Sequence, residues 1–235
     1  DSVIGKKVAA ERQPSLPLIE FIGNSITCGA AADPSEVPCG SGSYHDQHNA
    51  YFAYGPRVAR AIGADFMLNS VSGIGIYRTW NRDHPSMPLV YGNTHFQAEG
   101  DRPWNHQLFK PKVVSIALGT NDLSRGDGKT ARQPFDSLVF VSRYIEFVRQ
   151  VKAVQPQARI VLLSSGMVGG ENRELLQRCL MTVKHSIDLS YPTDPQVVVH
   201  FFKPMKAKGC TGHPDVEDHG ILAAELTELF RGLIH

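Results

Sequence analysis

The chain has 235 residues, 42% hydrophobic residues and a net charge of +1 at pH 7, which is typical of a globular protein with one sizeable core. Acidic and basic residues are interspersed, so neither a basic run nor a basic patch with interleaved aromatic residues indicates nucleic-acid binding. No apolar stretch reaches the length of a membrane span, and we therefore expect neither a nucleic acid nor a membrane as a partner.

Residues 1–16 are polar and show no periodicity, which predicts a linker or tail ahead of a single domain over residues 17–235. Apolar and helix-forming segments then alternate to the end of the chain. Strands are predicted at 16–22, 65–71, 112–118, 159–163 and 196–202. Helices are predicted at 50–62, 135–154, 172–189 and after Pro214, with buried stripes formed by Leu138, Val141, Ile145 and Val148 in the second and by Leu222, Leu226, Leu229 and Leu233 in the last.

This alternation predicts an α/β fold, because strands rich in Val, Ile and Leu between helices are typical of a parallel sheet that is covered on both faces. Five strands joined by right-handed crossovers give a three-layer α/β/α domain with a five-stranded parallel sheet, of flavodoxin-like type. The loops that follow the strands open at the carboxyl edge of such a sheet. Residues in loops far apart in sequence can therefore meet there.

Four short segments at that edge carry candidate chemistry. Ser25 follows the first strand, and its hydroxyl is a candidate nucleophile for which His213, ahead of the last helix, is the candidate base. The backbone N–H groups of Ser25 and Gly73 and the side-chain amide of Asn121 are candidate donors to an oxyanion. Each residue alone has a structural explanation as a turn, cap or surface residue, but the ordered set favours acyl transfer.

The segments that carry these residues resemble the four signature blocks of the SGNH (GDSL-type) hydrolase superfamily. They are Gly23-Asn24-Ser25, Ser72-Gly73, Gly119-Thr120-Asn121-Asp122 and His213-Pro214. Within the superfamily, residues 22–29 and 209–214 resemble carbohydrate esterase family 2. The resemblance implies a serine esterase that removes O-acetyl groups from a carbohydrate such as xylan, through an acetyl-enzyme on Ser25, without a metal or other cofactor.

Two positions depart from the family pattern. Asn24 stands where the family usually has Asp, for which we expect a minor structural role. Cys210 stands three residues before the base, where many SGNH enzymes have an acidic residue. The resemblance therefore implies a Ser–His dyad whose imidazole is oriented by a backbone carbonyl. Asp215 is the nearest alternative acid, but its position favours a charge at the start of the last helix.

Family 2 enzymes typically carry an N-terminal β-sandwich domain, for which there is no room before Leu16. We expect that this domain was trimmed away or that this member lacks it. The sequence has no initial methionine and no signal-like apolar segment, so we interpret it as a processed or trimmed product.

The four cysteines are either buried thiols or two disulfides, and we predict the pairs Cys28–Cys39 and Cys179–Cys210. The first pair would staple a loop rich in Gly, Ala and Pro. Disulfides indicate an oxidising compartment, so we expect a secreted or periplasmic protein.

Three aromatic residues in or near the long irregular segment 73–109 are candidates for binding the substrate: Tyr77, Trp80 and Trp104. Aromatic faces stack on sugar rings, although the same residues could equally fix the loop. The histidines are too scattered to indicate a metal site. Two other functions stay open, namely a lipase or thioesterase-type acyl hydrolase and a non-catalytic carbohydrate-binding module on the same fold.

Overall fold

A computed structural model describes residues 15–234 of the chain. The expected linker over residues 1–16 lies outside these residues, apart from Ser15 and Leu16. The predicted architecture is confirmed: five strands form one parallel sheet in the order β2-β1-β3-β4-β5. The strands are β1 (Leu18–Gly23), β2 (Asp65–Ser70), β3 (Val113–Ala117), β4 (Arg159–Leu163) and β5 (Val198–His200).

Helices cover both faces of the sheet and give the expected three layers. The three longest begin or end close to their predicted limits, and short helices follow β1 and β3 directly. The helices are α1 (Ser25–Cys28), α2 (Tyr54–Ile62), α3 (Met87–Val90), α4 (Thr120–Leu123), α5 (Ser137–Val154), α6 (Gly170–Ser190) and α7 (Val216–Ile234).

The core consists of two apolar layers because alternate side chains of each strand point to opposite faces of the sheet. On one face, Ile19 and Phe21 of β1 pack with residues of α2 and α7. On the other face, Ile22 of β1 packs with residues of α5 and α6. Phe21 stacks on Phe230 of α7 with ring centroids 5.6 Å apart. The sheet is therefore held between two closely packed helix layers.

The stripe predicted for α5 is partly wrong, since Leu138 is 82% exposed. Helix α5 buries a row of aromatic residues instead, namely Phe140, Tyr144 and Phe147. Leu138 lies two residues before Phe140, about 200° around the helix, and therefore points away from the sheet.

The predicted disulfide pairs are also wrong: Cys39 is bonded to Cys210, with Cα atoms 5.2 Å apart, and Cys28 and Cys179 are free. The loop after α1 explains the difference, because it folds onto the segment that precedes α7. The backbone N–H of Cys210 donates to the Ala31 carbonyl at 3.0 Å. Cys179 is buried on α6 in the core and Cys28 donates its thiol to the Ser70 hydroxyl, while their predicted partners, Cys210 and Cys39, are bonded to each other.

Candidate active site

Strand β1 ends at Gly23, and Ser25 is the first residue of the short helix α1 that follows it. The side-chain oxygen of Asn24 accepts a hydrogen bond from the backbone N–H of Ile26 at 3.1 Å, so Asn24 caps α1. This cap is the structural role expected for Asn24, and it needs no charge. The Ser25 side chain lies at the surface of a cavity at the carboxyl edge of the sheet.

His213 meets Ser25 there, although 188 residues separate them. His213 Nε2 lies 3.0 Å from Ser25 Oγ, which is hydrogen-bonding distance for a nucleophile and its base. The other ring nitrogen, Nδ1, lies 3.0 Å from the Thr211 hydroxyl oxygen. Burial lowers the pKa of His213, and hydrogen bonding to the backbone of Cys210 and Thr211 opposes this shift. The imidazole is therefore neutral at neutral pH and able to accept a proton.

Asn121 reaches the same cavity from α4, directly after β3. Its amide nitrogen donates to the Ile74 carbonyl at 2.8 Å, which leaves the second amide hydrogen free for a ligand. Gly119 directly precedes α4 and has a φ of 120°, a conformation that favours glycine. A Cβ at Gly119 would also come within 2.6 Å of the Leu176 side chain. The glycine thus sets where Asn121 lies.

The neighbouring Asp122 fixes the loop that carries Gly73. Its buried carboxylate accepts the backbone N–H groups of Ile76, Tyr77 and Arg78. Burial raises the pKa of Asp122 to about 6, and these hydrogen bonds oppose the shift. The Arg78 guanidinium donates to the Asp122 carbonyl, so the two segments are tied together in both directions.

Gly73 lines the cavity with a φ of 81°, a left-handed conformation that favours glycine. Its carbonyl accepts the backbone N–H of Trp80 at 2.7 Å, which brings Trp80 back to the cavity. The loop therefore places a peptide group and an aromatic side chain at the same opening.

The cavity has a volume of about 450 Å³ and two aromatic sides. Trp80 is 47% exposed and Tyr44 is 43% exposed, and the Tyr44 hydroxyl lies 2.9 Å from the Ser72 hydroxyl. Tyr44 was not predicted, because it lies in the irregular loop after α1 and no periodic pattern marks it. The cavity is lined by Ser25, Tyr44, Ser72, Gly73, Trp80, Asn121, Thr211 and His213.

Trp80 is the one of the three predicted aromatic residues that lines this cavity. The Tyr77 hydroxyl accepts the backbone N–H of Asp136, and its ring packs near Phe135, so Tyr77 fixes a loop. Trp104 stacks on Phe109 and lines a different cavity beside β2. The structure therefore does not bring Tyr77 or Trp104 to Ser25.

Asp215 makes hydrogen bonds at the start of α7. Its carboxylate accepts the backbone N–H of Asp218 at 2.8 Å, as expected for an acidic residue at a helix start.

Within residues 15–234, no three His, Cys, Asp or Glu side chains come together in a way that could hold a metal ion. None of the helices in this part of the chain is long and apolar enough to cross a membrane.

Residues 21–190 match the profile of the GDSL-like lipase/acylhydrolase family, which is most of the chain. The chain belongs to the GDSL-like lipase/acylhydrolase family. The Ser25 segment and the Asn121 segment both lie within the matched residues, and the fold is the α/β fold of this family's SGNH hydrolases.

The names of related proteins are more specific than the name of the family. An acetylxylan esterase / glucomannan deacetylase of Cellvibrio japonicus is 29% identical over 212 residues, which cover 87% of this chain and 56% of the relative. A family two carbohydrate esterase from Clostridium thermocellum, solved in complex with cellohexaose, superposes with a TM-score of 0.82 at 27% identity, covering 96% of this chain and 67% of that one. The predicted resemblance to carbohydrate esterase family 2 is confirmed.

A further solved structure is described as a carbohydrate esterase whose active site displays divergent catalytic and non-catalytic binding functions. It has 26% identity and a TM-score of 0.79, and the match covers 95% of this chain and 72% of that one. The chain spans little more than half the length of the Cellvibrio relative.

Proposed function

We propose that this GDSL-like hydrolase is a serine esterase that removes O-acetyl groups from a carbohydrate of the xylan or glucomannan type. The observation that supports it best is the 3.0 Å contact between Ser25 Oγ and His213 Nε2 in an open cavity. The second support is the similarity to acetylxylan esterases and family 2 carbohydrate esterases.

In the first half of the reaction, Ser25 Oγ attacks the acetyl carbonyl carbon while its proton passes to His213 Nε2. The sugar oxygen then leaves with that proton and an acetyl-enzyme remains on Ser25. In the second half, a water molecule gives one proton to Nε2 and attacks the acetyl carbonyl carbon; the bond to Ser25 Oγ then breaks, Oγ takes the proton back from Nε2, and acetic acid leaves and ionises to acetate in solution. A neutral His213 suits both halves, since burial keeps its pKa below the ordinary value.

The carbonyl oxygen becomes an anion in each attack and needs donors that are already in place. We assign this role to the backbone N–H groups of Ser25 and Gly73 and to the free amide hydrogen of Asn121. All three residues line the cavity. The hydrogen bond from Asn121 to Ile74 supports the assignment, because it holds the amide without using both of its hydrogens.

The lining favours a small acyl group on a sugar over a long acyl chain. The residues that line the cavity include no Leu, Ile, Val or Met, which a long acyl chain would need along its length. Trp80 and Tyr44 instead offer exposed aromatic faces on which a sugar ring can stack. An acetylated poly- or oligosaccharide is therefore the partner that fits best.

We further propose that the protein is secreted or periplasmic, since the Cys39–Cys210 disulfide suits an oxidising compartment.

The experiment that tests the function measures acetate release from acetylated xylan and acetylated glucomannan. Wild type is compared with Ser25→Ala, and nitrophenyl acetate is compared with nitrophenyl octanoate. We expect acetate release that Ser25→Ala abolishes, and a strong preference for the acetyl ester. A preference for octanoate would favour a lipase or thioesterase. Saccharide binding without acetate release from any substrate would favour a non-catalytic binding module.

A further inference from the structure

The Thr211 side chain occupies the side of His213 that faces away from Ser25. Thr211 Oγ1 lies 3.0 Å from His213 Nδ1 and 2.7 Å from the Cys210 carbonyl oxygen. A carbonyl oxygen can only accept, so the hydroxyl hydrogen points to Cys210. The hydroxyl oxygen is then left to accept a hydrogen bond from Nδ1–H.

This direction decides the tautomer of the imidazole. With its hydrogen on Nδ1, His213 has an unprotonated Nε2 that accepts the Ser25 proton. In the other tautomer, Nε2–H would face Ser25 Oγ and could not act as its base. The chain from Cys210 through Thr211 to His213 therefore favours the productive tautomer.

The backbone conformation of Thr211 independently indicates a functional role for this residue. Thr211 has a φ of 54° and a ψ of 25°, a left-handed conformation that is unfavourable for a β-branched residue. Such strain persists where the surroundings fix it and is concentrated at functional sites. Here the neighbours do fix it, because Cys210 is tied to Cys39 by the disulfide and to Ala31 by a backbone hydrogen bond.

Among the described residues, no acidic side chain hydrogen-bonds to Nδ1 of His213, where Thr211 lies. The nearest acid in sequence, Asp215, accepts the backbone N–H of Asp218 at the start of α7. The backbone of Cys210 and of Thr211 also interacts with the imidazole, so a backbone carbonyl is the competing explanation for its orientation.

We propose that the Thr211 hydroxyl orients the His213 imidazole and sets its tautomer, in the place that an acidic residue has in a Ser–His–acid triad. Thr211 is a positioning residue, since it acts on the reaction through His213. The proposal deepens the proposed function and rests on it for the role of His213.

The test compares Thr211→Ser, which keeps the hydroxyl, with Thr211→Val, which keeps the β-branch and loses it. Thr211→Gly is the second variant without a hydroxyl, and its backbone suits a positive φ, so it guards against a Val variant that does not fold. The measurements are kcat and KM on nitrophenyl acetate from pH 5 to 9, and the tautomer of His213 by 15N nuclear magnetic resonance.

We expect Thr211→Ser to stay close to wild type in kcat. Thr211→Val and Thr211→Gly should lose about tenfold or more in kcat with little change in KM, because a wrong tautomer removes the base without removing substrate binding. The acid limb of the pH–rate profile of both variants should move to lower pH. The fraction of His213 with hydrogen on Nδ1 should fall. A merely structural role would not produce this split between Ser and Val.

The proposal is overturned if the folded Val and Gly variants keep the kcat and the tautomer of wild type, since a backbone carbonyl would then orient the ring. Failure of the proposed function gives a different result. In that case wild type releases no acetate and matches Ser25→Ala, while the 15N tautomer measurement still reports on Thr211.

Discussion

Removing the Cys39–Cys210 disulfide is expected to lower the free energy of unfolding substantially. The two cysteines are 171 residues apart. In the chain-entropy description, closing a loop of that length contributes about 5 kcal/mol, which is a large share of the roughly 5–15 kcal/mol that stabilise a typical domain. The disulfide should also matter for activity, because Cys210 lies in the segment that holds Thr211 and His213.

The assay is urea unfolding of the Cys39→Ser/Cys210→Ser double variant, with kcat on nitrophenyl acetate measured on the folded fraction. The matched control is Cys28→Ser, since Cys28 is free. We expect a large loss of stability and a lower kcat in the double variant, and neither in the control. Thiol titration of unreduced, denatured wild type should give two thiols. A double variant within about 1 kcal/mol of wild type in free energy of unfolding, or four titratable thiols in wild type, would contradict this role of the disulfide.

Four further predictions concern single groups at the site. Because burial lowers the pKa of His213, kcat/KM should rise with pH through an apparent pKa below the ordinary value for histidine and then level off; a midpoint above that ordinary value in the pH–rate profile would contradict this. Asn121→Ala should lower kcat by about 10²–10³-fold at similar KM, as expected for the loss of one oxyanion donor; steady-state kinetics measure it, and an unchanged kcat would exclude Asn121 from the oxyanion hole. Trp80→Ala should raise KM for acetylated polysaccharide by about threefold to tenfold, while nitrophenyl acetate kinetics stay at the wild-type level; an equal effect on both substrates would speak against stacking. Asp215→Ala should cost about 1 kcal/mol in urea unfolding and leave kcat nearly unchanged, whereas a loss of kcat comparable with that of His213→Ala would indicate a triad.

The fold could be predicted because its signals are local and repeated. Each strand is a short apolar run between helix-forming segments, and β4 has the limits that the sequence predicted. The carboxyl-edge rule then placed Ser25, Asn121 and His213 together without any information about loops. Ser25 and Asn121 follow the neighbouring strands β1 and β3, and His213 reaches the same cavity on the segment between β5 and α7.

The features that were missed depend on how the long loops fold. The disulfide partners were wrong because spacing favours near neighbours, whereas the loop after α1 lies on the segment before α7. Trp104 was grouped with Trp80 because both lie in one irregular segment, but it stacks on Phe109 beside β2. Tyr44 has no sequence signal of its own. Such contacts have no periodicity, so no sequence pattern marks them.

Every step of the proposed reaction requires that Ser25 is a nucleophile activated by His213. This role of Ser25 is tested by treatment with a serine-directed organophosphate, followed by peptide mapping by mass spectrometry. We expect one adduct on the peptide containing Ser25 in wild type, no adduct in Ser25→Ala, and much slower labelling in a folded His213→Ala variant. An adduct on another residue, no adduct in wild type, or equal labelling rates in wild type and His213→Ala would contradict it.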